Sequence, residues 1–284
     1  MKIFSFVVAF LLLSSGGYSQ APSPKVKLTV LLTGTANPLE MMTFKGGSAF
    51  KKFPMAHPAF LIEHPQGNFL FDTGLGKKAK EQVQEMTWWA RIATHFTQRD
   101  SAAEQLQKMG IKLDRIIVSH VHFDHVSGLA DFPGTPVEAL KEEVEFTKIK
   151  GASTAVLAST FDANTNWQIY ELQDKEYEGY KKSRDIFGDG TLVLVGMPGH
   201  TPGSVGLFVN ISPDKRIFLV GDTVWNSAAI SKALPKFWVA RVTADNKPDE
   251  VMERILELKA LRERNPHIMI IPGHDAAAIE TLNK

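Results

Sequence analysis

The sequence predicts a single α/β sandwich, with sheets inside and helices outside. Three observations lead there. Apolar, strand-like runs end four times in a polar turn that carries His or Asp: Val118 runs into His120, His122, Asp124 and His125, Val195 into His200, Val220 into Asp222, and Ile271 into His274. Strand-like runs outnumber helical ones in the first half of the 284 residues, and the two alternate afterwards. No linker-like or low-complexity stretch divides the chain beyond its first twenty residues, so one packed unit is expected.

The elements follow in order. Lys2, an apolar run over residues 3–13 and a small-residue tail over 14–20 make the pattern of a secretory signal peptide, with cleavage after Ser19. Residues 1–19 are therefore read as signal peptide and 26–284 as one domain, in the periplasm or outside the cell. The apolar run falls short of the roughly 20 residues that span a bilayer, so no stable membrane insertion is expected after cleavage. An N-terminal anchor is the alternative reading. In residues 26–32, Val26, Leu28, Val30 and Leu32 alternate as in a strand. Residues 59–64 and 69–74 flank Pro65-Gln66-Gly67-Asn68 and read as a hairpin. Residues 77–96 have helical composition, with Val83, Met86, Trp89 and Ala90 on one side. Ser101 and Glu104 form a capping box for a helix to Met109, stopped by Gly110. Residues 115–118 form a strand, and 137–150 a strand followed by a helix. Residues 151–179 have no period and read as an excursion over the site, a lid or pocket wall. Residues 191–195, 206–209 and 216–220 are strands. Residues 248–264 keep Val251, Ile255, Leu258 and Leu261 at helical spacing behind Pro248, and 268–271 form the last strand.

Composition narrows the chemistry. With 44% hydrophobic and 22% charged residues the chain can bury an ordinary core. A net charge of +1 gives no reason to expect a nucleic-acid partner. There is no cysteine, so disulfides, thiolate ligands, a cysteine nucleophile and a lipid-bearing cysteine are all excluded. The reactive groups must be His, Asp and Glu.

The densest such cluster is Ser119-His120-Val121-His122-Phe123-Asp124-His125, three of the nine histidines within six positions. Imidazole and carboxylate are the donors that zinc and related divalent ions prefer. Adjacent Asp124 and His125 cannot reach the same ion as His120 and His122 without strain, so two ions are the natural reading. If the strand ends gather at one edge, His120, His122 and His200 hold one ion. Asp124, His125 and His274 hold the other, and Asp222 bridges them. Gly199, Gly221 and Gly273 permit the sharp turns that aim these side chains. A water shared by two cations is acidified from 15.7 toward about 7, one cation can polarise a carbonyl or phosphoryl oxygen, and Asp124 can pass a proton to the leaving group. Such machinery suits hydrolysis.

His120-Val121-His122-Phe123-Asp124-His125, Gly199-His200, Gly221-Asp222 and Gly273-His274 together resemble the signature of the metallo-β-lactamase superfamily. The resemblance implies an αβ/βα sandwich of two mixed sheets packed face to face, with two Zn²⁺ between them. Asp222 and the absence of cysteine argue against β-lactam hydrolysis. His122 stands where the di-iron oxidoreductases of the superfamily carry glutamate, which favours zinc. Residues 58–74 and Phe123 are similar to N-acyl homoserine lactonases, although Trp225 stands where those carry a tyrosine. Residues 221–230 resemble the methyl parathion hydrolase group of aryl phosphotriesterases. No basic cluster suggests an anionic tripeptide thiolester.

The resemblance thus implies a zinc hydrolase of lactones or esters with an apolar acyl part. The alternatives are an aryl ester or phosphotriester hydrolase and a non-catalytic metal-binding protein. The partner is a small-molecule substrate; a homodimer is left open. Asp72 is expected to hold a ligand imidazole from behind. His57, His64, His95 and His267 read as surface or packing residues, with His57 in a loop able to line the pocket. Trp88, Trp89, Phe96, Trp225, Phe237 and Trp238 are candidates to wall an apolar cavity.

Overall fold

The computed structural model describes residues 26–161 and 165–283; the expected signal peptide lies outside them. Seven strands form the first sheet: β1 (Lys27–Ala36), β2 (Met55–Glu63), β3 (Phe69–Phe71), β4 (Thr97–Gln98), β5 (Arg115–Ile117), β6 (Val137–Leu140) and β7 (Trp167–Tyr170). Their order is β4-β1-β2-β3-β5-β6-β7. β1 to β3 pair antiparallel, whereas β3, β5, β6 and β7 run parallel. The second sheet contains β8 (Ser183–Asp185), β9 (Leu192–Gly196), β10 (Val205–Ser212), β11 (Lys215–Leu219) and β12 (Ile268–Ile271), in the order β12-β11-β10-β9-β8. Only β11 and β12 pair parallel there. Both sheets are mixed, as expected.

Nine α-helices complete the described residues. The stretch read as helical over residues 77–96 is broken into α1 (Ala79–Gln82) and α2 (Trp88–Ala93). Met86 and Thr87 are extended, with ψ of 152° and 151°. The break lets Val83, Met86 and Ala90 reach one cluster with Leu75 and Phe123. α3 (Ala102–Met109) begins with both halves of the capping box and ends at Gly110, φ 68°. α4 (Phe123–Val126) carries part of the histidine motif, and α5 (Lys141–Thr147) follows β6. α6 (Ser227–Lys232), α7 (Trp238–Ala244), α8 (Pro248–Arg264) and α9 (Ala276–Glu280) make up the rest. Residues 151–179 are mostly not a lid: they supply edge strand β7, and among the described residues of this stretch only Thr154 and Ala155 reach the pocket.

The core explains why the strands read as unbroken apolar runs. Phe60, Ile62, Phe69, Phe71 and Ile117 face Leu192, Leu194, Leu207, Ile217 and Leu219 between the sheets. Their neighbours Leu61, Leu70, Ile116 and Val118 pack outward on Leu106 of α3 and Val144 of α5. Val193, Val195, Phe208 and Phe218 pack on Val251, Ile255, Leu258 and Leu261 of α8. Both faces of each sheet are covered, so alternation in polarity disappears. Each fully buried Leu, Ile or Phe contributes about 1.5–3 kcal/mol. That packing holds the ends of β5, β9, β11 and β12 at one edge. No helix among the described residues is long and apolar enough to cross a membrane.

Candidate metal centre

The loops after these four strands bring together all seven metal donors expected from the sequence. His120, His122 and His200 each present a donor atom within 4.8 Å of the others, and so do His120, His125 and Asp222. A third group joins His57, Asp124 and His274. Glycine is needed where the backbones crowd: Gly221 has φ 51°, and a Cβ on Gly273 would stand 2.4 Å from Asp222 Oδ1. His57 corrects the sequence reading. It lies in β2 rather than a loop, is 6% exposed, and belongs to the cluster.

The outer hydrogen bonds fix which ring nitrogen faces inward. His274 Nδ1 lies 2.8 Å from the Ala56 carbonyl, which can only accept, so Nδ1 carries the proton and Nε2 faces the site. His125 Nδ1 is 2.8 Å from Asp72 Oδ2, and His200 Nδ1 is 2.7 Å from Asp245 Oδ1. Ser119 donates its hydroxyl to Asp72 at 2.7 Å, so His120 Nδ1 donates to Ser119 at 3.0 Å. His122 differs: its Nε2 meets the Ser153 hydroxyl at 3.2 Å, which leaves Nδ1 for the site. Asp72, as expected, holds ligand imidazoles from behind. It adopts φ 61°, a costly conformation for aspartate, and also accepts from the Ser119 backbone at 2.6 Å.

The inward atoms lack donors. His120 Nε2, His200 Nε2 and Asp222 Oδ1 are buried with no hydrogen-bond partner. His125 Nε2 and His274 Nε2 face each other at 3.4 Å, and both lie near Asp222, at 3.2 and 3.1 Å. Unpaired buried acceptors cost roughly 1–3 kcal/mol each, so this concentration of lone pairs fits a cation. Burial opposes charge on His125 and His274, but Asp222, with Asp72 or Asp124, overrides it. His125 is held well above the usual imidazole range and His274 is raised to about 10. His120 and His122, where burial dominates, are held well below it. Burial also works against ionised Asp124 and Asp222, yet the surrounding imidazoles keep both well below the usual carboxylate range.

The contacts of three further side chains were not legible in the sequence. Buried Lys236 bonds Asp245 Oδ1 at 2.7 Å, the same oxygen that receives His200. Buried Glu143 accepts from Val121 N at 2.7 Å and Gly203 N at 2.8 Å, tying the loops of His120 and His200 together. The Trp225 indole N–H donates to Asp222 Oδ2 at 2.7 Å.

A cavity of about 620 Å³ opens onto His57, His122, Asp124, Asp222 and His274. Trp89, Phe96 and Trp225 line it with Met42, Met86 and Phe123. Trp88, Phe237 and Trp238 do not: the indoles of Trp88 and Trp238 point outward, 69% and 66% exposed.

Comparison with known proteins agrees with this geometry. The family profile of the Metallo-beta-lactamase superfamily matches residues 53–274. The N-acyl homoserine lactonase AttM of Azorhizobium caulinodans is 26% identical over 255 residues, spanning 84% of this chain and 89% of that one. An N-acyl homoserine lactone hydrolase, solved with N-hexanoyl-L-homoserine bound at its catalytic metal centre, superposes with a TM-score of 0.70 at 20% identity, covering 91% and 96% of the two chains. The hydrolase AbOPH superposes with a TM-score of 0.60 at 19% identity, covering 90% and 88%. With the family profile spanning most of the chain and lactonases and hydrolases among its relatives, this protein belongs to the metallo-β-lactamase superfamily and is a metal-dependent hydrolase.

Proposed function

We propose that the protein is a dinuclear zinc hydrolase that opens lactones or esters with an apolar acyl part. The observation that carries this is the gathering of five imidazoles and two carboxylates, of which His122, Asp124, Asp222 and His274 line an apolar cavity. His120, His122 and His200 would hold one cation, and Asp124, His125 and His274 the other, with Asp222 between them. When bound, the pair supplies Lewis acidity and lowers the pKa of a water toward about 7. The protein does the rest. Asp124 is the most exposed of the donors, its side chain 13% accessible, so it can deliver a proton to the departing oxygen. Asp72 and Asp245 keep His125 and His200 in the ligating tautomer. Phe96, Phe123 and Trp89 exclude water and favour an acyl chain. The similarity to AttM and to the lactone hydrolase supports a lactone substrate.

One observation favours a second reading, hydrolysis of aryl esters or phosphotriesters. The only hydrogen-bond donor of the Trp225 side chain is engaged by Asp222, so this residue offers no hydroxyl to a substrate carbonyl. The two separate in one panel: zinc-loaded enzyme against N-acyl homoserine lactones of increasing chain length, aryl esters, phosphotriesters and β-lactams. We expect lactone opening with kcat/KM rising with acyl length. Phosphotriester turnover without lactone turnover would establish the second reading, and no turnover at all would leave a metal-binding protein. Residues 1–19 are proposed to direct the chain to the periplasm or beyond; the mature N-terminus of secreted material tests this.

A further inference from the structure

We propose that His57 is an additional ligand of the cation held by Asp124, His125 and His274, an eighth donor outside the family signature. The inference rests on the dinuclear reading above.

His57 sits on β2 immediately after Ala56, whose carbonyl orients His274 and whose N–H bonds the His274 carbonyl at 3.0 Å. The strand that clamps one donor therefore presents the next. Its partner in β1 is Gly34, at a register shift between Leu32 and Gly34. Such bulges re-aim side chains next to sites. The imidazole is almost fully buried, yet neither ring nitrogen has a hydrogen-bond partner. Nδ1 lies 3.3 Å from Asp124 Oδ2, outside hydrogen-bond geometry, and His274 Nε2 lies 3.3 Å from the same oxygen. The His57 and His274 rings meet edge to face, centroids 5.0 Å apart.

These are the spacings of donors that share an ion. With metal–ligand bonds of about 2.1 Å, adjacent donors of one ion stand about 3.0–3.4 Å apart, from octahedral to tetrahedral angles. An imidazole buried without partners is costly unless something accepts its lone pair. The packed side of the ring is apolar: Phe96 meets it edge-on with centroids 6.2 Å apart, so a phenyl ring at position 57 has a compatible neighbour.

The test compares metal-stripped wild type with His57→Phe, titrated with Co²⁺ by calorimetry and visible absorption. Wild type should take two equivalents. The variant should bind one equivalent as before and the other at least about tenfold more weakly, with stronger d–d bands from that ion as its coordination number falls. Unchanged affinity and spectrum would overturn the proposal. Weaker binding with an unchanged spectrum would overturn it too, because His57 would then only prop Asp124. If wild type itself takes a single equivalent, the dinuclear reading fails first, and visibly so. Should His57→Phe not match the apo wild type in thermal unfolding, His57→Gln carries the same titration.

Discussion

Trp225 changes how the site is read more than any other single residue. Its indole N–H points at Asp222 rather than at the cavity, so the side chain acts on the carboxylate proposed to bridge the cations and not on substrate. A hydrogen bond to a charged group contributes about 1.5–3 kcal/mol. We expect Trp225→Phe to lower turnover about tenfold with two metals still bound, checked by steady-state kinetics beside metal analysis. Asp222→Ala is different in kind. It removes the shared donor, so one metal equivalent and at least about a hundredfold in turnover should be lost while circular dichroism stays native. An active variant with both metals would exclude the bridging role. Glu143 is a third case, set by burial. Burial pushes its carboxyl up to about 7, against 4.5 in a free chain, even though two backbone N–H groups favour the ionised form. Between those values the folded protein keeps a proton that the unfolded chain has released. Stability therefore falls as pH rises through that window, by on the order of 3 kcal/mol in all. Glutamine cannot titrate. In urea unfolding of metal-free protein, the gap between wild type and Glu143→Gln should shift toward the variant from pH 5 to pH 8; a constant gap would contradict this. Asp222 was legible in the sequence, but the bond from Trp225 and the buried contacts of Glu143 were not. Glu143 sits in the charged run Lys141-Glu142-Glu143, which looks like a solvated helix face. Lys236 and Asp245 look like surface charges. His57, in an apolar strand, has no ligand spacing and meets His274 only through the fold.

Elements were more legible than contacts. The four strand-to-turn units were visible because each couples an apolar run to a polar turn, and the packed sheets bring those turns together. α3 and α8 were visible for local reasons, a capping box and a helical apolar stripe. α1 and α2 were not separable by sequence, because the break at Met86 is imposed by the cluster around Leu75 and Phe123. β4 and β8 are two and three residues long and largely polar, so only their neighbours define them. An element-scale prediction follows from the cap of α3, far from the donors in its chemistry. Ser101→Ala should cost about 1 kcal/mol in urea unfolding and leave metal content at the wild-type value. A loss of metal would mean that α3 positions the site, which its packing does not require.

At the scale of the molecule, the site is a joint between two sheets. His120, His122, Asp124 and His125 come from the first; His200, Asp222 and His274 come from the second. A chain without cysteine has no covalent brace at this edge. Cations held by both sheets would supply one, stabilising the fold by about 2.7 kcal/mol when free metal is a hundred times the dissociation constant. Chelation should therefore lower the thermal midpoint, and zinc should restore it. The edge also explains why a small rearrangement of the outer bonds at Asp72 or Asp245 would reach the chemistry: each holds a ring from behind.

The most direct test is an anomalous difference map at the zinc edge from crystals of zinc-loaded protein. Two peaks about 3.5–4 Å apart are expected, one against His120, His122 and His200, the other against Asp124, His125 and His274, with Asp222 between them. A single peak, or peaks away from these side chains, would contradict the account.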